Sequence, residues 1–217
     1  MLATVGTGCA KTPTSADVAP SIAAAADEAG ALEIYAELEA LIVEGKDSED
    51  DRVYALGRVK QIEDDSTAEY AFVRAALSGR VAELRGVKAG KLVTDVERYA
   101  RLSIERDPQF RDKAATRMLG SLYVMAPPRL VEHGDSEEGL ELLEDLADER
   151  PNVINNHVRL AEAFIHLGDP DPALPHLCTA AAGRDALRAD QAALLDRLLA
   201  DVGGLESLQC DAGAAEA

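Results

Sequence analysis

The sequence predicts an all-α protein, and three observations carry the prediction. Apolar residues make up 47% of the chain and aromatic ones only 4%, with Ala and Leu dominant, a balance that favours helix over sheet. Apolar residues return at three- and four-residue spacing through most of the 217 residues, the period of a helix with one buried face. No run of alternating β-branched residues bounded by turn signals occurs, so strands are not expected.

The elements follow in order. Helical periodicity starts near Asp27, and Ile34, Leu38, Leu41 and Ile42 share one face of a first helix. The stretch from Gly45 to Ser48 stops it, with Asp47 or Ser48 as the next cap. Val53, Leu56, Val59 and Ile62 form a second stripe, broken by the polar run from Glu63 to Ser66. Tyr70, Val73, Leu77, Val81 and Leu84 mark a long third helix, and Gly86 to Gly90 is its turn. Leu92, Val96, Tyr99, Ala100 and Ser103 continue into a fourth, which ends before Asp107-Pro108 because proline lacks an amide hydrogen and clashes with the preceding turn.

Beyond this point the chain repeats. Gly134 and Gly168 lie 34 residues apart, as do Gly139 and Ala173, and Leu143 and Leu177. The helix before each also corresponds: Leu119-Gly120 and Tyr123 answer Leu160-Ala161 and Phe164, separated by 41 residues because the segment Pro127–His133 is inserted. Small residues at Gly120, Gly139, Ala161, Ala173 and Ala180 allow close helix approach, and Tyr123, Phe164, Leu143 and Leu177 fill the space between. One pair cannot bury its apolar face alone, so neighbours must stack, and Leu187, Leu194, Leu195, Leu198 and Leu199 form an amphipathic helix suited to covering the last pair. Pro170 and Pro172 suit a helix start, whereas Pro175 places the first turn of that helix in question.

A 34-residue period with these residues resembles the tetratricopeptide (TPR) family. The match is good over 113–180, weaker over 67–108 and poor before 65. It implies antiparallel helix pairs stacked as a short right-handed solenoid with a C-terminal capping helix. A narrower likeness rests on Leu119 to Pro128, Gly134-Asp135, Pro151 and Asn156 to Glu162. These resemble the periplasmic TPR component associated with TRAP transporters. That likeness implies an exported protein that partners a solute-binding protein or permease.

The N-terminus adds to this. A small-residue run ending in Gly8-Cys9, then a Ser/Ala/Pro-rich stretch, resembles the end of a bacterial lipoprotein signal, although Gly6 stands where an aliphatic residue is usual. Cys9 is then the lipid attachment site. The domain reading is 1–26 as signal remnant and tether, 27–202 as helical repeat domain and 203–217 as a frayed acidic tail. Localisation is periplasmic and lipid-anchored, with a cytoplasmic protein as the alternative. No stretch is long and apolar enough to span a membrane, which leaves the anchor as the only membrane contact expected.

The net charge of -18 repels phosphate backbones, so nucleic acid is not an expected partner. No CxxC or Cys/His cluster has zinc spacing. In an exported protein Cys178 and Cys210 are disulfide candidates, and two free thiols are the alternative. His157 and His166 lie nine residues apart, on opposite sides of one helix. His176 falls on the partner helix, and His133 in the inserted segment. No P-loop, GxGxxG, GxSxG or HExxH occurs, so neither an enzyme nor a cofactor is expected.

TPR arrays bind through the face lined by their first helices. The register puts Arg117, Ser121, Met125, Asn155, Arg159 and Glu162 there. The Lys/Asn/Arg clamp of some TPR domains is not reproduced, since Val158 and Glu162 stand at its positions. Arg129, Leu130 and Val131 form a second candidate contact on a loop stiffened by Pro127-Pro128, unless Leu130 and Val131 tuck back on the array. The functional expectation is a non-enzymatic envelope protein that binds another protein, as an accessory of a TRAP-type transporter. An outer-membrane assembly or secretion scaffold and a direct small-ligand carrier are the alternatives, and homo-oligomerisation is left open.

Overall fold

Local signals set the helix boundaries. Ser48 caps a helix by accepting the Asp51 amide while the Asp51 carboxylate accepts the Ser48 amide, a reciprocal box. Thr67 accepts the Tyr70 amide, and Asp135 those of Glu137 and Glu138, so each supplies partners that the first turn of a helix lacks. The computed structural model describes residues 12–28, 30–208 and 210. Among these, the α-helices are α1 (Pro20–Glu28), α2 (Ala31–Val43), α3 (Glu49–Val59), α4 (Ala68–Arg85), α5 (Gly90–Arg106), α6 (Phe110–Met125), α7 (Ser136–Glu149), α8 (Ile154–Leu167), α9 (Ala173–Ala182) and α10 (Ala189–Asp201). No strand occurs among the described residues.

The helices pack as neighbouring pairs. Within a pair, contacts that climb one helix descend the other. Ser103 donates to the Ala68 carbonyl and Gly79 lies against Val96, so α4 and α5 are antiparallel. His157 meets His176 and Ile154 meets Gly183, which sets α8 against α9 in the same sense. Between pairs the order reverses. Tyr35 meets Phe72 and, further along both helices, Glu39 meets Arg80, so α2 and α4 run parallel. This is an all-α array of stacked helix pairs.

Burial follows the same division. One core gathers Ile34, Leu38, Val59, Val73 and Leu77 from the N-terminal helices. A second gathers Leu143, Val158, Leu160, Leu177 and Leu195 from the C-terminal ones. Ala75, Ala100, Leu119 and Tyr123 bridge them. Helices α6 and α7 approach backbone to backbone. A Cβ on Gly139 would stand 2.8 Å from the Gly120 carbonyl oxygen and 2.7 Å from Tyr123 Cβ, so only hydrogen fits there.

Four expectations are corrected or resolved. Helix starts at Pro20 rather than near Asp27, and the stretch read as tether contributes Ile22, which is wholly buried. Asp51 accepts the Ala19 amide at 2.7 Å and Arg58 donates to the Ala26 carbonyl, so α1 is tied to α3 by bonds with no local sequence signal. Pro175 sits inside the first turn of α9, where amides lack helical partners and proline forfeits no bond. Downstream of Gly203, Leu205–Ser207 forms a 3-10 turn and Leu208 packs on the C-terminal core instead of fraying. Cys178 and Cys210 are joined in a disulfide, with 5.5 Å between Cα atoms, which pins this tail to α9. Cys9 lies outside the described residues. Among the described residues no helix is long and apolar enough to cross a membrane.

The last helix does more than cover the final pair. It packs on α8 and α9 and also reaches α2 at the opposite end of the array. Arg188 donates to Glu39 at 2.7 Å across 149 residues of chain. The array therefore comes round until its two ends touch.

Candidate functional site

The site is the groove that this closure encloses. It has a volume of about 380 Å³, and its walls come from α2, α4, α6, α8 and the start of α10. The partner helices α3, α5, α7 and α9 pack behind. Tyr35 and Glu39 face in from α2, Phe72, Arg80 and Glu83 from α4, and Arg111, Arg117 and Met118 from α6. Asn155 and Arg159 come from α8, and Arg188 and Asp190 from the start of α10. A second cavity of about 630 Å³ shares Tyr35, Glu39, Arg111 and Arg188 with the first and continues past Leu32, Val43 and Phe110.

Charge is distributed unevenly over these walls. In a chain of net charge -18 the groove presents five arginines against three carboxylates, those of Glu39, Glu83 and Asp190. Three arginines are spoken for. Arg80 donates to both oxygens of Glu39, at 2.8 and 2.9 Å, and Arg188 bonds Glu39 and Asp190. Burial works against the Glu39 charge, but the hydrogen bonds and charges of Arg80 and Arg188 outweigh it and hold that carboxyl below the usual range. Arg159 bonds Glu162 at 2.7 Å.

Arg111 and Arg117 have no carboxylate partner among the described residues. Arg111 is held over the rings of Tyr35 and Phe72, 5.6 and 5.5 Å from their centroids. Its backbone, with that of Asp112 and Lys113, lies in the left-handed region, at φ of 49°, 55° and 58°. Three such residues in succession cost on the order of 1–2 kcal/mol each. Arg117 donates to Asn156 Oδ1 at 2.7 Å, and wholly buried Asn156 is oriented for this by its own donation to the Leu146 carbonyl. Burial, then the nearby charge of Arg159, pushes the Arg117 guanidinium down to about 10. The Asn155 amide oxygen is buried and lacks a hydrogen-bond partner among the described residues.

Of the groove residues placed from the repeat register, Arg117, Ser121, Asn155 and Arg159 line this cavity. Met125 does not; it is exposed at the C-terminal end of α6. Nor does Glu162, which turns to Arg159. For the second candidate contact, the alternative in which Leu130 and Val131 tuck back on the array is the one observed. Val131 packs on the bridging core, Leu130 is half-buried beside Gly90, and Arg129 alone stays exposed. The cause is Glu97, a buried carboxylate on α5 that accepts the amides of Glu132 and His133 and the Tyr123 hydroxyl. Those bonds fasten the segment to α5.

Sequence reasoning missed Arg80, Arg111, Arg188, Tyr35, Phe72 and Glu39. For α4 a signal existed: Phe72, Ala76, Gly79, Arg80 and Glu83 recur at helical spacing on the first helix of the pair before α6. Nothing local marks Glu39 as the partner of Arg188. No group of three or more His, Cys, Asp or Glu among the described residues is placed to hold a metal ion.

The fold and groove define a class, that of all-α arrays of stacked helix pairs with a concave inner face. Compared with known proteins, the chain matches no family model and no curated protein.

Proposed function

We propose that this chain is a non-enzymatic, TPR-like helical-repeat protein of the cell envelope that binds its partner through the inner groove, as an accessory of a TRAP-type solute transporter. One observation supports the binding reading most: first helices from four pairs and the closing helix turn side chains into one net-positive groove on an acidic protein. The transporter assignment rests on the sequence likeness alone. Affinity capture of tagged full-length protein from native envelopes tests it. A periplasmic solute-binding protein or permease is the expected catch, lost on Arg159→Glu. Secretion or barrel-assembly components would move the assignment to a scaffold, and a catch unaffected by Arg159→Glu would remove the groove from the reading.

A second reading, direct carriage of a small ligand, is favoured by cavity size. The two neighbouring cavities, of about 380 and 630 Å³, each fall in the range of small-molecule sites, about 300–1,000 Å³.

A further inference from the structure

The first helices of the four pairs share a feature away from the groove. Val43, Leu84, Met125 and Leu167 stand in the last turns of α2, α4, α6 and α8, separated by 41, 41 and 42 residues. All four are exposed, between 36 and 43%, and among the described residues only one other large apolar side chain, Leu205, is as open to water. Short connections make alternate helices run the same way, so these last turns lie at one edge of the array. Glu39 bonds Arg80 across parallel α2 and α4, and Val43 and Leu84 each lie one turn further on, which makes them neighbours. Helix α4 packs on α6, and α6 on α8, so the row continues at the spacing of packed helices, about 8–10 Å.

A single exposed apolar side chain is ordinary. Here the same place is apolar in four successive pairs, although one turn earlier those helices carry Glu39, Arg80, Ser121 and Glu162 and do not copy one another. The second helices begin at this edge, and it is acidic. Lys46 and Arg85 are paired with Glu44 and Glu49. Among the described residues Asp50, Glu132, Glu137, Glu138, Asp169 and Asp171 have no cation partner, against the three unpaired cations Lys88, Lys91 and Arg129.

We propose that this edge docks a basic amphipathic helix of a partner protein, its apolar side chains on the row and its lysines and arginines toward the flanking carboxylates. Seven residues of helix rise about 10.5 Å, close to the step between members of the row. Apolar residues recurring every seven therefore meet successive ones, with Leu84 and Met125 at the centre. None of the four residues lines the inner groove of about 380 Å³, so the surface stands or falls separately from binding in that groove.

The probe is a labelled 21-residue peptide with Leu at the first and fourth positions of each heptad and Lys and Ala elsewhere, followed by fluorescence anisotropy on the full chain. Micromolar binding is expected. The double variant Leu84→Ser, Met125→Ser should weaken it about tenfold or more, whereas Leu205→Ser, exposed but off the row, should leave it unchanged. If circular dichroism shows the double variant misfolded, Met125→Ser alone carries the test, with about a threefold loss expected. The same peptide with Glu for Lys should bind about tenfold more weakly or worse. No binding at 0.5 mM, equal binding of the Glu peptide, or binding indifferent to the row variants would overturn the proposal, the last as mere adsorption to an acidic surface. Binding abolished by Arg159→Glu would also overturn it, by placing the peptide in the groove.

Discussion

The pair α6–α7 and the neighbours α2 and α4 both bring helices into close contact, yet by different means. Between α6 and α7 the contact is made of absence. Gly120 and Gly139 carry no side chain, the backbones close up, and Tyr123 and Leu143 fill the flanks. Between α2 and α4 it is made of bulk and charge. Tyr35 stacks edge-on against Phe72, and Glu39 receives Arg80 and Arg188. Nearby, Arg74 is buried over Tyr99 at 4.4 Å and bonds the Tyr70 hydroxyl. A contact built from small residues recurs in the next pair, with Ala161 and Ala173 in place of Gly120 and Gly139. A contact built from a particular ion pair occurs once.

The comparison is broken most directly at Leu143. Leu143→Ala leaves a cavity where α7 meets α6 and α8, and should cost about 3 kcal/mol in denaturant unfolding. The equivalent test of the charged contact is Glu39→Gln, which leaves Arg80 and Arg188 without their shared carboxylate. The full penalty for a buried pair is discounted because both arginines keep access to water, so about 1–2 kcal/mol is expected. Since the folded Glu39 carboxyl is held below its unfolded range, its contribution is present above about pH 4.5 and is lost as pH falls through the folded value. The wild-type protein should therefore lose stability with acid in that window more steeply than Glu39→Gln.

A single methyl group sharpens the contrast. Gly139→Ala pushes a Cβ into backbone that cannot yield and should cost roughly 1–3 kcal/mol. Gly57→Ala on α3 meets nothing within 4 Å and should stabilise by up to about 1 kcal/mol through helix propensity. Two chemically identical changes thus carry opposite signs, and thermal melts of both settle it. The smallest effect belongs to His176. Burial, then the neighbouring His157, holds its imidazole below the usual range. A base depressed in the folded state favours unfolding once the unfolded chain takes up the proton, so stability should fall as pH drops below about 6.5, and His176→Gln should flatten that slope.

The same contrast explains what the sequence allowed one to read. The all-α class, the boundaries of α4 and α5 and the inward row through Arg117 and Arg159 followed from spacing, because burial on a helix face imposes a period. The start at Pro20 did not, because α1 is a short run of alanines held by Asp51 and Arg58 from another helix. Half of the groove stayed hidden for a related reason. Arg111 reaches it through a left-handed backbone that departs from the helical register, and Arg188 through a contact that depends on the curvature of the whole array.

That last contact has a consequence for how the molecule comes apart. Stacked repeats ordinarily behave as a line, each unit leaning only on its neighbours, so they fray from whichever end is weaker. Tying α10 to α2 turns the line toward a circle. Loss of the terminal pair then also strips α2 of its partner, which favours one sharp melting transition over stepwise unzipping. Assembly bears the opposite burden. The join spans 149 residues, a long loop to close, and it forms only after the intervening helices have set the curve. Docking of α10 is therefore expected to come last, after the intervening pairs have stacked.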